Sequence, residues 1–254
     1  MNNRVVITGT GIVSPIGNNT KHIWNSLKTG KNGVDLITHF DTTEYNVKIA
    51  AQVNIDLNNY FTTKELNKID RFTAFAIIAA DEAISDSNIS KINTDNNRIG
   101  VIIGSGIGGI NTFEKQHKRL LRSPRKVSPY FIPTMISDIA SGHISIKHQF
   151  KGINYCVVSA CATGSHAIGD AYKMIKYGDA DAIIAGGSES GISPISIAGF
   201  SNMKALTKNS DINTACRPFD LNRDGFVMGE GAGVIVLENL ENAIKRNANI
   251  YGEL

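Results

Sequence analysis

Apolar runs as long as a buried strand alternate with segments of helical periodicity along most of this 254-residue chain. The apolar runs predict strands at 4–8, at 97–104 before a glycine-rich turn, and at 153–159, 180–190 and 231–240. The periodic segments predict helices at 18–30, 70–87, from about 134 within 131–150, and at 162–178 and 241–248. This alternation predicts an α/β fold whose mostly parallel sheet is covered by helices on both faces.

Composition and charge narrow the class of protein. Hydrophobic residues make up 42% and charged residues 19% of the chain, as in ordinary globular proteins, and no repeat or Pro-rich linker divides it, so we expect one domain over 1–254. The net charge of +3 does not by itself indicate nucleic-acid binding. The odd count of 3 Cys and the lack of a signal peptide or membrane span favour a cytoplasmic protein.

Two glycine clusters follow predicted strands: GTGIVSPIG at 9–17 and GSGIGG at 104–109. The first has Ser14 where a dinucleotide-binding fingerprint needs its third glycine. The second fits the fingerprint, but the next acidic residue after Glu114 is Asp138, which is too far along the chain to hold a ribose. We therefore interpret both clusters as tight strand-to-helix turns.

Other cofactor signatures are missing from the sequence. It contains no GxxxxGK[ST] segment, which excludes a P-loop, and its histidines form no HxxxH pair. Cys156 and Cys161 have no second ligand cluster at metal-binding spacing. We expect neither a metal site nor a bound cofactor.

The segment VVSACATGSHAIGDA, at 157–171, places Cys161 directly after a predicted strand and directly before a predicted helix. Helix-terminal N–H groups and the helix dipole favour a thiolate there. The small neighbours would let a substrate carbonyl approach the sulfur and let the Cys161 N–H reach a developing oxyanion. Two interpretations stay open from these residues alone, a nucleophile or a packed structural thiol. For Cys156 and Cys216 we favour the structural role.

Longer motifs carry a family resemblance. Residues 156–190, CVVSACATGSHAIGDAYKMIKYGDADAIIAGGSES, are similar to the active-site region of β-ketoacyl-[acyl-carrier-protein] synthases, in particular the bacterial synthase II branch. Further segments resemble that family in the same order, so the similarity runs from residue 4 to 254 without a large gap. They are VVITGTGIVSPIG, IGSGIGG, SPRKVSPYFIPTMI and RPFDLNRDGFVMGEGAGVIVLE.

The resemblance implies a thiolase-like fold, in which two similar α/β halves stack their sheets between helix layers, and this chain would be the N-terminal half. It implies that Cys161 accepts an acyl chain from a carrier protein. Malonyl-loaded carrier protein then loses carbon dioxide and attacks the thioester, which lengthens the chain by two carbons. The implied partners are acyl carrier protein and a second copy of the chain in a homodimer, with no nucleic acid or membrane.

The resemblance also assigns roles to other residues. Ile107 and Phe200 would line the acyl pocket, and Phe131 would reach the pocket of the neighbouring subunit; ordinary turn or core packing is the alternative. Asp224 and Glu230 are expected to be buried and structural. Four basic residues would contact the acidic carrier protein, or else form only a solvated basic face. They are Lys64, Lys68, Arg125 and Lys126.

The sequence departs from the family in extent. The family's remaining half supplies two histidines, a lysine and a glycine-rich loop with a phenylalanine, and none of these motifs follows Leu254. Either the chain is part of a longer enzyme, or it is a truncated, non-catalytic remnant that keeps the fold and the carrier-protein face. A third hypothesis, a relative that uses coenzyme A thioesters, is disfavoured by the basic residues.

Overall fold

The computed structural model describes residues 3–89 and 95–254, and its main feature is a six-stranded sheet in the order β5-β4-β6-β7-β1-β8. Strands β2 and β3 form a separate two-stranded pair. The strands are β1 Val5–Val13, β2 Asp35–Leu36, β3 Ile49–Ala50, β4 Ile99–Gly104, β5 Asn154–Tyr155, β6 Ala182–Glu189, β7 Gly231–Asn239 and β8 Gly252–Glu253.

Helices in the described residues cover the large sheet and flank its ends. Their bounds are α1 Thr20–Lys28, α2 Thr63–Leu66, α3 Arg71–Ser87, α4 Ile110–Leu120, α5 Phe131–Met135, α6 Ile139–His148, α7 Thr163–Tyr177, α8 Pro194–Asn202 and α9 Leu240–Lys245.

The large sheet is mixed. Strands β4, β5 and β6 are mutually parallel, whereas β7 runs antiparallel to both of its neighbours, β6 and β1. Strand β8 is antiparallel to β1. Within the described sheet, β1, β4, β5 and β6 therefore share one direction, which confirms the predicted mixed, mostly parallel α/β arrangement.

Alternate residues of the central strands face two different helix layers. Ile102 and Ile183 pack in one core with helix α7, while Val101 and Ile184 pack in another with α3 and α6. Because side chains of a strand point to opposite faces in turn, a strand that is apolar at every position needs cover on both sides. The prediction of helices on both faces is confirmed.

Helix α3 is the most deeply buried helix of the larger core. Asp70 caps its N-terminus by accepting a hydrogen bond from the Phe72 N–H, and the left-handed Asn88 ends it. Phe72 and Phe75 have no solvent exposure. The helix lies across β1 and β7 and was predicted as a central helix from the apolar spacing at 70–87.

Strand β1 is longer than predicted, because we took Gly9 as its end and the strand continues to Val13. The glycines make room for α3. A Cβ at Gly9 would lie 2.2 Å from the Ala83 carbonyl oxygen, and one at Gly11 would lie 2.0 Å from the Ala79 oxygen. The GTG segment is therefore part of a strand, and the prediction of a turn at 9–17 is wrong for its first half.

Strand β5 is shorter than the predicted strand 153–159. It pairs with β4 only at Asn154 and Tyr155, at the edge of the sheet, and Cys156 already lies beyond the ladder. The chain leaves the sheet here to enter the turn that starts α7. No helix of residues 3–89 and 95–254 is long and apolar enough to cross a membrane.

We predict that Gly11→Ala destabilises the protein by about 2–3 kcal/mol, because a new Cβ forces the backbones of β1 and α3 apart. Thermal unfolding should then occur roughly 5–10 °C lower. The matched control is Gly233→Ala, which sits on the neighbouring strand β7 with no atom within 4 Å of the added Cβ. Equal melting temperatures for the two variants would contradict the close-packing argument.

Candidate active site

Cys161 lies in a sharp turn between the sheet and α7. Residues Ala160–Ala162 form a single 3-10 turn, and Ala160 takes a left-handed conformation with φ of 50°. The Ser159 N–H donates to the Thr163 hydroxyl at 2.8 Å, which closes the turn against the helix. A left-handed alanine carries backbone strain, and such strain is common where a reactive side chain must be presented.

The cysteine itself is exposed at the N-terminal end of α7. Ala162, the residue that caps this helix, offers no side-chain acceptor to the N–H groups of the first turn. The N–H groups at a helix N-terminus attract negative charge. In the described residues, the first turn of α7 therefore has no side-chain cap at the end where the exposed Cys161 lies.

Glycines let α7 begin directly against the ends of two strands. A Cβ at Gly104, the last residue of β4, would lie 2.2 Å from the Thr163 methyl carbon. A Cβ at Gly187 of β6 would lie 3.0 Å from the Gly164 Cα. The small residues on both sides of this contact fix the height of the helix, and hence of Cys161, above the sheet.

A cavity of about 710 Å³ opens beside Cys161. Ile107 from the turn after β4 and Phe200 from α8 both line it. Phe200 packs edge-to-face on Phe226, with ring centroids 5.8 Å apart. Phe131, at the start of α5, is half-buried and does not line this cavity.

The glycine turn after β4 is held by a carboxylate that the sequence did not single out. Glu189, the last residue of β6, accepts hydrogen bonds from the N–H groups of Gly106 at 2.7 Å and Ile107 at 3.1 Å. Its second oxygen accepts the Ser105 hydroxyl at 3.0 Å. Because Glu189 occupies these N–H groups, they are not free to bind the phosphates of a dinucleotide.

Burial raises the pKa of the Glu189 carboxyl, while the three hydrogen bonds that it accepts act in the opposite direction. The negative charge of Asp70 adds to the rise. The only sequence signal for this residue was its place at the end of a predicted strand, beside the glycine turn of a parallel neighbour.

The other two cysteines lie in different surroundings. Cys156 is half-buried, and burial raises the pKa of its thiol. Cys216 is exposed, but it sits in the loop between α8 and β7 rather than at a helix N-terminus. Only Cys161 of the three lines the cavity. Within residues 3–89 and 95–254, no group of His, Cys, Asp and Glu could hold a metal ion.

Glu230 is buried, as expected, at the start of β7. It accepts hydrogen bonds from the Val53 N–H at 3.0 Å and the Ser190 hydroxyl at 2.7 Å, and pairs with Arg71 at 3.0 Å. For Asp224 the expected burial is wrong, because the residue is exposed in a loop, where it accepts the Thr207 hydroxyl. Asp224 and Glu230 belong to the same sequence motif, RDGFVMGEGAG, but the chain enters strand β7 only at Gly231, near the end of that motif.

The four basic residues lie on two separate segments of the chain. Lys64 and Lys68 belong to α2 and the turn after it, and the Lys68 carbonyl accepts the Thr134 hydroxyl of α5 at 3.0 Å. The Lys68 ammonium also lies 5.0 Å from the centroid of the Tyr130 ring. In the described part of the chain, none of the four forms an ion pair. The other two are Arg125 and Lys126.

We predict that Cys161 is the most reactive of the three thiols. With limiting iodoacetamide on the folded protein, peptide mapping should find the adduct mainly on Cys161, because this residue is exposed, lines the cavity and lies at a helix N-terminus. Cys216 is the matched control, since it is also exposed but has no helix terminus beside it. Faster modification of Cys156 or Cys216 would refute the helix-terminus argument.

Comparison with known proteins gives consistent matches. A family model described as the β-ketoacyl synthase N-terminal domain matches residues 2–243. The chain is 51% identical, over 255 aligned residues, to 3-oxoacyl-[acyl-carrier-protein] synthase 2 of Staphylococcus aureus strain N315, covering 100% of this chain and 62% of that protein. The synthase 2 of Coxiella burnetii is 49% identical, at 99% and 61% coverage.

Solved structures agree with this assignment. A β-ketoacyl synthase from Burkholderia phymatum matches with a TM-score of 0.89 and 32% identity, covering 99% of this chain and 62% of that one. A type II polyketide ketosynthase in complex with its acyl-carrier protein matches at 0.88 and 31%, covering 100% and 62%. The chain thus spans about 62% of the length of these relatives. It belongs to the β-ketoacyl synthase family, whose N-terminal domain it contains.

Proposed function

We propose that this chain is the cysteine-bearing part of a β-ketoacyl-[acyl-carrier-protein] synthase that lengthens fatty-acyl chains by two carbons. The observation that carries the proposal is the exposed Cys161 sulfur at the N-terminus of α7, on the wall of a cavity of about 710 Å³. The names of the S. aureus and C. burnetii relatives support the same activity.

In the first step, the Cys161 thiolate attacks the carbonyl carbon of an acyl thioester on the carrier protein. A carbon–sulfur bond to Cys161 forms, the bond to the carrier sulfur breaks, and the carrier thiol leaves with a proton. The charge that develops on the carbonyl oxygen faces the N–H groups around the Cys161 turn, which is where an oxyanion is stabilised in acyl transfer.

In the second step, malonyl-loaded carrier protein loses carbon dioxide, and the resulting carbanion attacks the Cys161 thioester. A carbon–carbon bond forms, the Cys161 thiolate leaves and takes up a proton, and the β-ketoacyl chain stays on the carrier. The histidines that polarise the malonyl thioester in this family belong to the half that the resemblance places after residue 254.

The lining of the cavity supports an apolar acyl chain as the group carried on Cys161. Ile107 and Phe200 supply an apolar wall, and burial of an apolar chain against such a wall is favourable by about 0.8 kcal/mol per CH₂ group. Phe131 lies outside the cavity of its own protomer, which is compatible with a contact to the pocket of a neighbouring copy.

The basic surface at Lys64, Lys68, Arg125 and Lys126 supports an acidic carrier protein as the donor. These cations make no ion pair among the described residues, so an acidic partner meets charges that are not already neutralised. One similar structure is that of a ketosynthase with its acyl-carrier protein. A cytoplasmic location, favoured by the cysteine count, remains part of this proposal.

We propose further that two copies associate through the edge of the large sheet. Strand β5 has β4 as its one partner in the described sheet, and the nearby Val158 is 60% exposed. An antiparallel pairing of β5 with its copy across a two-fold axis would cover this edge.

Native mass spectrometry at micromolar concentration should therefore find twice the mass of one chain. Replacing Val158 by Glu should shift the balance toward monomer, because a charge would then be buried in the contact. The control is Leu27→Glu, an equally exposed apolar residue on α1. A clean monomer of the wild-type protein would contradict the dimer.

For the function itself, we predict a thioester on Cys161 when the 254-residue chain is incubated with acyl-loaded carrier protein. Intact-mass measurement should show the acyl adduct in the wild type and none in Cys161→Ser. We expect no carbon dioxide from malonyl-loaded carrier, because loss of each electrostatic donor typically costs about 10²–10³ in rate. Robust β-ketoacyl product from this chain alone would refute the division of labour between the halves.

The same assay tests the carrier surface. The double variant Arg125→Glu/Lys126→Glu should acylate about tenfold more slowly from carrier-bound donor at low salt, with the difference shrinking as salt rises. The rate with a small acyl thioester should stay unchanged, because that donor does not need the basic surface. Lys31→Glu, an exposed cation on another segment, is the control. Equal losses for both donors would reject the docking role.

A further inference from the structure

In the turn after β4, three hydrogen-bond donors are all bound by one side chain. Glu189 accepts the N–H groups of Gly106 and Ile107 on one oxygen and the Ser105 hydroxyl on the other. The Ser105 hydroxyl oxygen in turn accepts the Gly108 N–H at 3.0 Å. A single carboxylate thus organises four successive residues, two of which would otherwise present unpaired N–H groups.

Glu189 and the nucleophile turn both lie close to the place where Gly106 lacks a side chain. A Cβ at Gly106 would lie 2.9 Å from a Glu189 carboxylate oxygen and 3.7 Å from the carbonyl oxygen of Ala160, the residue before Cys161. The glycine therefore lets the Glu189 carboxylate and the Cys161 turn come close to the turn after β4. A shift of the turn after β4 would change its distance to the Cys161 turn.

Ile107 depends on this backbone for its position. Its side chain lines the Cys161 cavity but is 41% exposed, so packing restrains it on one side only. Its terminal carbon lies 3.5 Å from the place where a Cβ at Gly191 would be, so the side chain borders Gly191 on that side. The Ile107 N–H donates a hydrogen bond to Glu189, which holds the Ile107 backbone at the turn.

We propose that Glu189 is a positioning residue, a carboxylate latch on the Ser105–Gly108 turn that sets where Ile107 stands over the Cys161 cavity. Through Ile107 it sets the length of the chain that Cys161 accepts. The last step rests on the proposed function, since it treats the cavity as an acyl pocket. The latch itself rests on the geometry of the turn alone.

Substitutions at Glu189 separate the latch from its charge. Glu189→Ala removes all three acceptor contacts and frees the turn. Glu189→Gln keeps the two contacts with backbone N–H groups, because the amide oxygen can accept both, and reverses the third, because the amide nitrogen donates to the Ser105 hydroxyl. The control is Asp86→Ala, a half-buried carboxylate that accepts the Thr10 N–H and the Tyr251 hydroxyl away from the cavity.

The test uses N-alkyl iodoacetamides with two-carbon and ten-carbon chains on the 254-residue protein. The Cys161 sulfur displaces iodide from either reagent, so the assay reads pocket access without any acyl transfer. Mass spectrometry of the Cys161 peptide gives the two rates. We expect Glu189→Ala to raise the ratio of long-chain to short-chain rate at least about fivefold, and Glu189→Gln and Asp86→Ala to leave it unchanged within about twofold.

The double variant decides whether Glu189 acts through Ile107. Ile107→Ala alone should raise the same ratio, and adding Glu189→Ala should change it by less than about twofold more, because the positioned side chain is already gone. A merely structural role would lower both rates together and would add in full to the Ile107 effect. Full additivity, or an unchanged ratio in Glu189→Ala, overturns the proposal.

Hydrogen exchange supplies a second measurement on the same variants. In Glu189→Ala the amides of Gly106 and Ile107 should exchange at least about tenfold faster, while those of β4 stay protected. If Glu189→Ala does not fold, the same measurement is made on Ser105→Ala. We expect a smaller rise in the ratio of long-chain to short-chain rate. An unchanged ratio would overturn the proposal. If carrier protein does not acylate Cys161, the proposed function is rejected, but the alkylation-rate ratio and the hydrogen-exchange rates still test the role of Glu189.

Discussion

The position of Cys161 depends on one close contact, the approach of the first turn of α7 to the ends of β4 and β6. Glycines on both strands make it possible, since a Cβ at Gly104 would collide with the Thr163 methyl group. Packed interiors do not deform continuously, so a helix seated this closely has one height above the sheet. The strained Ala160 is tolerated because the contacts around it leave the chain no other path.

Two carboxylates close to the cavity contribute shape more than stability. Glu230 is buried between the lining residues Gly229 and Gly231 and pairs with the partly buried Arg71, and a buried ion pair rarely gains much over apolar packing of the same volume. The main effect of Glu230 is to fix the positions of chain segments relative to one another. It accepts the Val53 N–H and the Ser190 hydroxyl as well as pairing with Arg71, and so joins three segments of the chain. Glu189 likewise joins the end of β6 to the turn after β4. Removal of either would leave buried donors unpaired.

The sequence predicted features that depend on local pattern and missed those that depend on distant contacts. Alternating strands and helices, the buried helix at 70–87 and the place of Cys161 all follow from periodicity and turn chemistry. Helix α4 was not predicted, although Ile110, Phe113 and Leu120 recur at helical spacing, and in the structure its one buried residue is the polar Gln116. The end of β1 was misjudged because Gly9 serves a contact with α3, 74 residues away in sequence.

Glu189 explains why a glycine motif that fits a nucleotide fingerprint belongs to a different chemistry. A turn between a parallel strand and a helix presents N–H groups, and such groups attract anions. Two turns of this kind lie at the same end of the sheet, one after β4 and one before α7. The turn at Gly106 and Ile107 is filled by the protein's own carboxylate, whereas the turn at Cys161 has no side-chain cap among the described residues. The filled turn forms part of the cavity wall, and the open turn leaves helix N–H groups beside Cys161 without a side-chain acceptor in the described residues.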